Sequence, residues 1–214
     1  MTAPPDLPSL FTRTLTGLQI SPERQPALWE ELRAAYTAGS RHYHNLTHLS
    51  NMVAATLTAG LKPDDPDLYY LALFYHDIVY NPLRRDNERR SADRAVQLLE
   101  EVGTEPARVI RCRALIEQTQ AHRLTPAADG PSDRLFLDAD LAILAAERPD
   151  YENYTAAVRR EYWMYPDLLY RPGRAKVLRD FLERPEIYFS PHFRLHSEAR
   201  ARKNLTRELD RLTQ

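Results

Sequence analysis

The chain is poor in cysteine, glycine and lysine, and each shortage excludes a class of site. Its single cysteine, Cys112, rules out an intramolecular disulfide and argues against a zinc site built from thiolates. Six glycines in 214 residues leave little room for a glycine-rich phosphate loop, and no dinucleotide-binding fingerprint is present. Lysine occurs only three times, so arginine supplies most of the basic charge.

Neither charge nor hydropathy points to nucleic acid or to a membrane. The formal net charge of -1 gives no global attraction for an anionic polymer or surface. The longest strongly apolar stretch, residues 68–75, is far shorter than a membrane span. The first residues, MTAPPD, lack the basic and apolar regions of a signal peptide, so we expect a cytoplasmic protein.

Hydrophobic periodicity predicts an all-α chain with short connections, and the length fits one domain, or one domain with a helical extension. Residues 68–75 are apolar on nearly every side, which predicts a central helix buried all round. Ser21 followed by Pro22 is typical of a helix start, and residues 125–133 read as a loop. The expected helices cover residues 9–18, 22–36, 46–57, 67–75, 92–99, 105–120, 134–145, 150–162, 172–182 and 197–212.

Three histidines, His42, His44 and His48, lie within seven residues. His44 and His48 are four apart, and on a helix their Cβ atoms would be about 5–6 Å apart on one face. That arrangement suits two imidazoles converging on one site. The same spacing also arises by chance, so the histidines alone leave a metal role open.

The doublet His76-Asp77 ends the all-apolar helix. Burying an ionisable pair beside Phe74 and Ile78 costs free energy unless something compensates. A divalent cation is a natural compensation, because it binds neutral imidazole and ionised carboxylate together. The alternative is a solvent-facing His-Asp turn at the C-terminus of the helix.

Two carboxylates, Asp138 and Asp140, stand in the otherwise apolar run 135–144. They point to different faces of a helix, so we expect one to reach a metal ion and the other to cap the helix start. The histidine and aspartate elements together offer two nitrogen and two oxygen ligands. Such a set without thiolate suits a divalent ion such as Mn, Fe, Co, Ni, Mg or Zn.

A histidine, then a His-Asp doublet, then an aspartate on successive helices is the pattern of the HD superfamily of metal-dependent phosphohydrolases. More narrowly, the chain resembles the small bacterial group of predicted metal-dependent HD phosphohydrolases, over roughly residues 25–210. The matching stretches are RHYHNLTHL at 41–49, YHDIVYNP at 75–82, DNERRSA at 86–92, FLDADLAIL at 136–144 and ARARKNL at 199–205.

The resemblance implies roles for individual residues. His48 would be the first metal ligand, His76 and Asp77 the doublet, and Asp140 the last ligand, with Asp77 also counted among the catalytic residues. Cyclic nucleotide phosphodiesterases share the helical HD core. By analogy with them, His44 is expected to donate a proton to the leaving oxygen.

Further residues are implied near the substrate, each with a plainer alternative. His122 is a candidate for binding the phosphate or a second metal ion, or is a surface histidine. Glu88 and Asp138 are candidates for supporting the metal ligands. Candidate phosphate ligands, which otherwise form a solvated basic face, are Arg84, Arg85, Arg89 and Arg90. Candidates for the pocket wall, or else for the core, are Tyr151, Tyr154, Arg159, Glu161 and Tyr162.

The implied fold is a single HD-type helical domain over residues 1–214, with a core at about 25–182 and a C-terminal segment, 190–214, packed on it. The implied reaction is hydrolysis of a phosphomonoester or phosphodiester of a nucleotide or other small phosphate, by attack of metal-bound water. A metal-containing nucleotide sensor stays open, as does a di-iron oxygenase, for which His122 and Glu88 are the only extra ligand candidates. No nucleic-acid or membrane partner is expected, and a homodimer is an open alternative.

Overall fold

A computed structural model describes residues 6–125 and 128–213. This part of the chain holds eleven α-helices and two short 3₁₀ helices, and its only β-structure is an isolated bridge between Thr125 and Ala128. The predicted all-α fold is confirmed for these residues. The helices are α1 (Leu7–Gly17), α2 (Gln25–Tyr36), α3 (Leu46–Thr58), α4 (Pro66–Tyr75), α5 (Asn87–Glu101), α6 (Pro106–Glu117), α7 (Pro131–Asp140), α8 (Arg148–Glu161), α9 (Asp167–Leu182), α10 (Pro191–His196) and α11 (Glu198–Thr213), with 3₁₀ helices at Gln118–Gln120 and Leu141–Ala145.

One contiguous apolar core includes residues from α1 to α11, and α4 lies within it. Residues 68–75 of α4 are buried except for Tyr70, as their all-round apolar pattern predicts. Phe11 of α1 packs edge-on against Phe74 of α4, with ring centroids 4.9 Å apart. α1, which precedes residue 25, therefore contributes fully buried side chains to this apolar core.

The last helix is tied to the segment that follows α7. Asn204 of α11 donates hydrogen bonds to the carbonyl oxygens of Leu144 and Ala146, each at 2.9 Å. These contacts tie α11 to the 3₁₀ helix Leu141–Ala145, which directly follows α7. No helix in the described ranges is both long and apolar enough to cross a bilayer.

Several helix starts differ from the prediction: α5 begins at Asn87 and α7 at Pro131, each earlier than expected, and α2 and α9 differ for reasons that the structure shows. α2 begins at Gln25 rather than after Ser21, because the Ser21 carbonyl accepts a hydrogen bond from the Arg24 N–H and closes a turn instead. α9 begins at Asp167 and continues through Pro172, which the sequence pattern places at its start. A proline removes one backbone hydrogen bond from a helix without always ending it.

Candidate metal centre

Three helix ends deliver the four predicted metal ligands to one place. The side chain of Asn45 caps α3 by accepting hydrogen bonds from two backbone N–H groups of its first turn, including that of His48. His76 and Asp77 come directly after α4, and Asp140 is the last residue of α7. The apolar helices therefore end where their polar ligands begin.

The ligand atoms lie close together. Nε2 of His48 is 3.1 Å from Nε2 of His76, and Oδ2 of Asp77 is 3.1 Å from the His76 nitrogen and 3.9 Å from the His48 nitrogen. Oδ1 of Asp140 lies 3.2 Å from Nε2 of His48 and 3.7 Å from Nε2 of His76. Ligand atoms bonded at about 2.1 Å and at right angles lie about 3 Å apart. The group of His48, His76 and Asp77 could therefore hold a metal ion, with Asp140 beside it.

The two imidazoles need a proton or a metal ion between their facing nitrogens. Both side chains are buried, and Nδ1 of His76 donates a hydrogen bond to the Leu73 carbonyl at 2.8 Å. In a neutral His76 ring, Nε2 therefore carries a lone pair, which faces Nε2 of His48. A proton or a metal ion has to lie between the two nitrogens, so the residues present fit a bound cation.

The carboxylates of Asp77 and Asp140 also favour a positive charge at this position. Burial alone would lower the pKa of His76, but Asp77 and Asp140 outweigh it and raise that pKa to about 9. Burial would raise the pKa of both aspartates, yet the neighbouring histidines hold each below its ordinary value. Burial lowers the pKa of His48, so His76 is the ring that takes a proton. A bound metal ion displaces that proton and meets the same carboxylates.

His44 reaches the site from a loop, not from the helix that the sequence spacing predicts. α3 begins at Leu46, so the four-residue separation does not place His44 and His48 on one helical face. The two rings nevertheless lie near each other, with centroids 5.9 Å apart. A contact other than helix register must therefore orient His44.

That contact is Glu161, the last residue of α8. Nδ1 of His44 donates to Oε2 of Glu161 at 2.6 Å, and Oε1 accepts from the backbone N–H groups of Tyr43 and His44 at 2.7 and 2.9 Å. The Tyr80 hydroxyl donates to the same carboxylate at 2.9 Å. Burial opposes ionisation of Glu161, but these donors lower its pKa to about 2. Burial likewise opposes a charge on His44, yet Asp77 and Glu161 raise its pKa above the ordinary value.

Arg41 and Tyr36 shape the turn that presents Asp77. The Arg41 guanidinium donates to the carbonyl oxygens of Asp77 and Ile78 at 2.6 and 2.9 Å, and to that of His44 at 3.2 Å. The Tyr36 hydroxyl accepts a hydrogen bond from the Asp77 N–H at 3.2 Å. Sequence reasoning missed both roles, since neither residue type signals a carbonyl or N–H partner about 40 positions away.

A cavity of about 490 Å³, here called the cleft, opens onto the cluster. A neighbouring cavity of about 570 Å³ shares Tyr43 and His44 with it and is walled by tyrosines of α8, α9 and their connection. Tyr154 and Tyr162, predicted as wall or core, line both cavities. The ionisable residues that line the cleft, apart from tyrosines, are His44, Asp77, Arg84, Glu88, His122, Arg123, Asp140, Arg174, Asp180 and Arg184.

The arginines predicted to bind phosphate are largely engaged elsewhere. Arg84 lines the cleft, but its guanidinium binds both oxygens of Asp86 at 2.8 and 3.2 Å. Arg89 lies 3.5 Å from the same carboxylate and does not line the cleft. Arg85 lines the neighbouring cavity instead. Arg90 lines neither cavity, so of the four predicted ligands the structure brings only Arg84 to the cleft.

His122 and Glu88 both reach the cleft. Nε2 of His122 lies 2.9 Å from Oδ2 of Asp140, so this histidine stands at the edge of the cluster. Its backbone has a φ of 45°, a left-handed conformation that is rare for residues other than glycine. Glu88 forms no side-chain hydrogen bond with another described residue, and burial together with Asp77 raises its pKa.

Asp138 does not support the metal ligands, and that prediction is wrong. Its side chain is fully buried, and its two oxygens accept hydrogen bonds from the backbone N–H groups of Phe189 and Ser190, each at 2.7 Å. These groups stand at the start of α10. Asp138 therefore anchors a distant helix rather than capping its own.

Comparisons with protein-family models, with curated proteins and with solved structures found no match to this chain. The resemblance to the HD superfamily therefore stays a prediction. The chemistry of the site rests on the positions of its own side chains.

Proposed function

We propose that this protein is a metal-dependent phosphohydrolase that cleaves a phosphomonoester or phosphodiester of a nucleotide or other small phosphate. The proposal depends on one observation: two buried imidazole nitrogens face each other at 3.1 Å with a carboxylate beside each. His48, His76, Asp77 and Asp140 would hold one divalent ion such as Mn, Fe, Co, Ni, Mg or Zn. When bound, such an ion activates water and draws charge from a phosphoryl oxygen.

His44 is placed to donate the proton that the leaving oxygen needs. Its Nδ1 is fixed on Glu161, so its Nε2 is the nitrogen left for the cleft, 3.9 Å from Oδ2 of Asp77. A charged imidazole held at that position donates to an oxygen that departs from phosphorus. A protein that only binds its ligand has less need of such a proton donor.

The walls of the cleft favour a phosphorylated molecule with a planar ring. Arginines line the cleft, and cationic side chains there neutralise the charge that develops on phosphate. The tyrosines of the neighbouring cavity offer faces on which a planar base can stack. A nucleotide offers a phosphate to the arginines and a planar base to the tyrosines.

The test is hydrolysis by the metal-stripped protein after addition of Mn, Mg, Co, Ni, Fe or Zn. A panel of nucleotides, p-nitrophenyl phosphate and bis-p-nitrophenyl phosphate separates monoesterase from diesterase activity. His76→Ala and Asp77→Ala are expected to lower metal affinity by at least about a hundredfold and to abolish turnover. His196→Ala and Asp210→Ala, which remove exposed residues of the same types, serve as matched controls.

Activity that survives both His76→Ala and Asp77→Ala would mean that the doublet is not the metal site. Nucleotide binding without turnover, whatever the metal, would favour a sensor over an enzyme. Oxygen consumption by a protein holding two irons per chain would favour an oxygenase, in which His122 and Glu88 supply the additional ligands. Metal stoichiometry and turnover together therefore separate the three functions.

A further inference from the structure

Two arginines in the cleft form no ion pair with a described carboxylate. Arg123 and Arg184 line the cleft together with Asp77 and Asp140. Within residues 6–125 and 128–213, neither guanidinium forms an ion pair, and the side chain of Arg184 donates only to backbone carbonyls. A pair of uncompensated guanidiniums is the arrangement that binds an anion.

The remaining arginines of the cleft provide a contrast. Arg84 is held by Asp86, and Arg174 is bound by Glu208 through hydrogen bonds of 2.7 and 3.1 Å. Their charges are already balanced within the protein. The free positive charge of the cleft therefore lies on the side of the 3₁₀ helix Gln118–Gln120 and the end of α9, not beside Arg84.

Arg184 is held ready for a ligand. Its guanidinium donates to the carbonyl oxygens of His122 and Ala121 at 2.8 and 3.0 Å, and its carbon lies 4.2 Å from the centroid of the Phe181 ring. Its Nε–H is buried and has no acceptor among the described residues. Burial and the adjacent charge of Arg123 lower the pKa of Arg184. An anion in the cleft would relieve the repulsion between the two guanidiniums.

His122 lies between Arg184 and the metal ligand Asp140. Arg184 binds the backbone of His122, whereas the ring of His122 binds Asp140. A phosphoryl group on the cluster and an anion on the arginines are therefore different groups. We propose that Arg123 and Arg184 bind a second phosphate of the substrate, so that the preferred substrate is a nucleoside bisphosphate. The inference rests on the proposed function for the identity of the first group.

The test compares binding of adenosine 5′-monophosphate and adenosine 3′,5′-bisphosphate by calorimetry, with the metal-free and the Mn²⁺-loaded protein. We expect the bisphosphate to bind at least about tenfold more tightly, because two charge-assisted contacts are added. In the Mn²⁺-loaded protein, Arg123→Gln/Arg184→Gln should remove this preference while changing monophosphate affinity less than about twofold. Arg160→Gln/Arg179→Gln removes the same charge from exposed positions and should keep the preference.

Arg123→Gln alone keeps the result interpretable if the double variant is unstable. The Arg123 side chain forms no hydrogen bond in the described chain, so its loss should leave the fold intact and still weaken bisphosphate binding by about threefold or more. Equal affinity of the wild-type protein for both nucleotides, including failure to bind either, overturns the inference. Retention of the preference by the double variant does so as well. Absence of hydrolysis with every metal contradicts the proposed function instead, while the binding preference still decides this inference.

Discussion

Glu161 accepts a hydrogen bond from Nδ1 of His44 at 2.6 Å and a second from the backbone N–H of the same residue at 2.9 Å. One buried carboxylate therefore fixes both the ring and the loop of His44. Because His44 precedes α3, its own helix register cannot orient it. The position of the proposed proton donor depends on the contact between this loop and the end of α8.

Glu161→Gln is expected to lower kcat by about tenfold to a hundredfold, because the amide cannot accept every hydrogen bond that the carboxylate accepts. KM should change less, and the metal content per chain should stay the same, since His44 is not a proposed ligand. Steady-state kinetics with metal analysis measures all three. Glu183→Gln, at an exposed position after α9, is the matched control. Loss of the metal, or an unchanged kcat, would contradict the positioning role.

Metal binding at the facing nitrogens of His48 and His76 should stabilise the fold. A ligand at one hundred times its dissociation constant adds about 2.7 kcal/mol to the free energy of unfolding. For a chain of this size that corresponds to a rise in Tm of about 5–10 °C. Thermal unfolding with and without chelator measures the shift. His76→Ala should lose it and His196→Ala should keep it; an equal shift in His76→Ala would place the ion elsewhere.

Asp138 and Asp140 should respond oppositely to substitution by asparagine. Asp138→Asn leaves one backbone N–H at the start of α10 without an acceptor, at a cost of about 1–3 kcal/mol, and should not alter metal affinity. Asp140→Asn removes a proposed ligand and should lower metal affinity by at least about a hundredfold. Urea unfolding of the metal-free proteins and metal titration separate the two effects. Metal loss in Asp138→Asn would mean that the residue does support the ligands.

The approach of the four ligands could be predicted because each stands within or directly beside an apolar stretch. A polar residue in such a position is either solvated or compensated, and His76 is 1% exposed, so it cannot be solvated. Glu161 and Arg184 could not be found in this way. Their partners lie 117 and 62 positions away, and an exposed-looking glutamate or arginine carries no local signal.

The start of α9 could not be predicted for a different reason. The rule that proline marks a first turn places it at Pro172, whereas the helix begins five residues earlier. For Asp138 too, the local sequence pattern does not determine the role of the side chain. Two aspartates in one apolar run predict two roles, but only the packing of α10 decides which role Asp138 takes.

Asp65 should make stability depend on pH through an ion pair away from the cluster. It caps α4 and binds Arg108 at 2.7 and 3.0 Å. Burial would raise the pKa of Asp65, but Arg108 and the Leu68 N–H outweigh it and hold the pKa below the ordinary value of an aspartate. A lowered folded-state pKa contributes stability above the ordinary value, and that stability is lost as the pH falls through the lowered one.

Asp65→Asn keeps a good cap but loses the charge, so it should cost about 0.5 kcal/mol at pH 7, a small value because both side chains are partly exposed. Asp65→Ala loses the cap as well and should cost about 1.5 kcal/mol. Urea unfolding at pH 7 and pH 3 measures the gap between the wild-type protein and Asp65→Asn. The difference in free energy of unfolding between the two proteins should be smaller at pH 3 than at pH 7. An equal difference at both pH values would exclude the ion pair with Arg108 as its source.

His122 has a strained left-handed backbone, and its side chain contacts Asp140. Two substitutions separate the effects of the backbone and the side chain. His122→Ala and His122→Gly both remove the hydrogen bond to Asp140, so both should lower metal affinity by about tenfold. Only glycine adopts the φ of 45° without strain. For alanine, that backbone strain costs about 1–2 kcal/mol, whereas the extra freedom of glycine in the unfolded chain offsets part of the advantage of glycine. In the absence of metal, the unfolding free energy of His122→Gly should therefore exceed that of His122→Ala by about 0.5–1 kcal/mol. If urea unfolding finds the glycine variant less stable, the left-handed backbone at His122 is not strained, and its side chain alone explains its place beside the cluster.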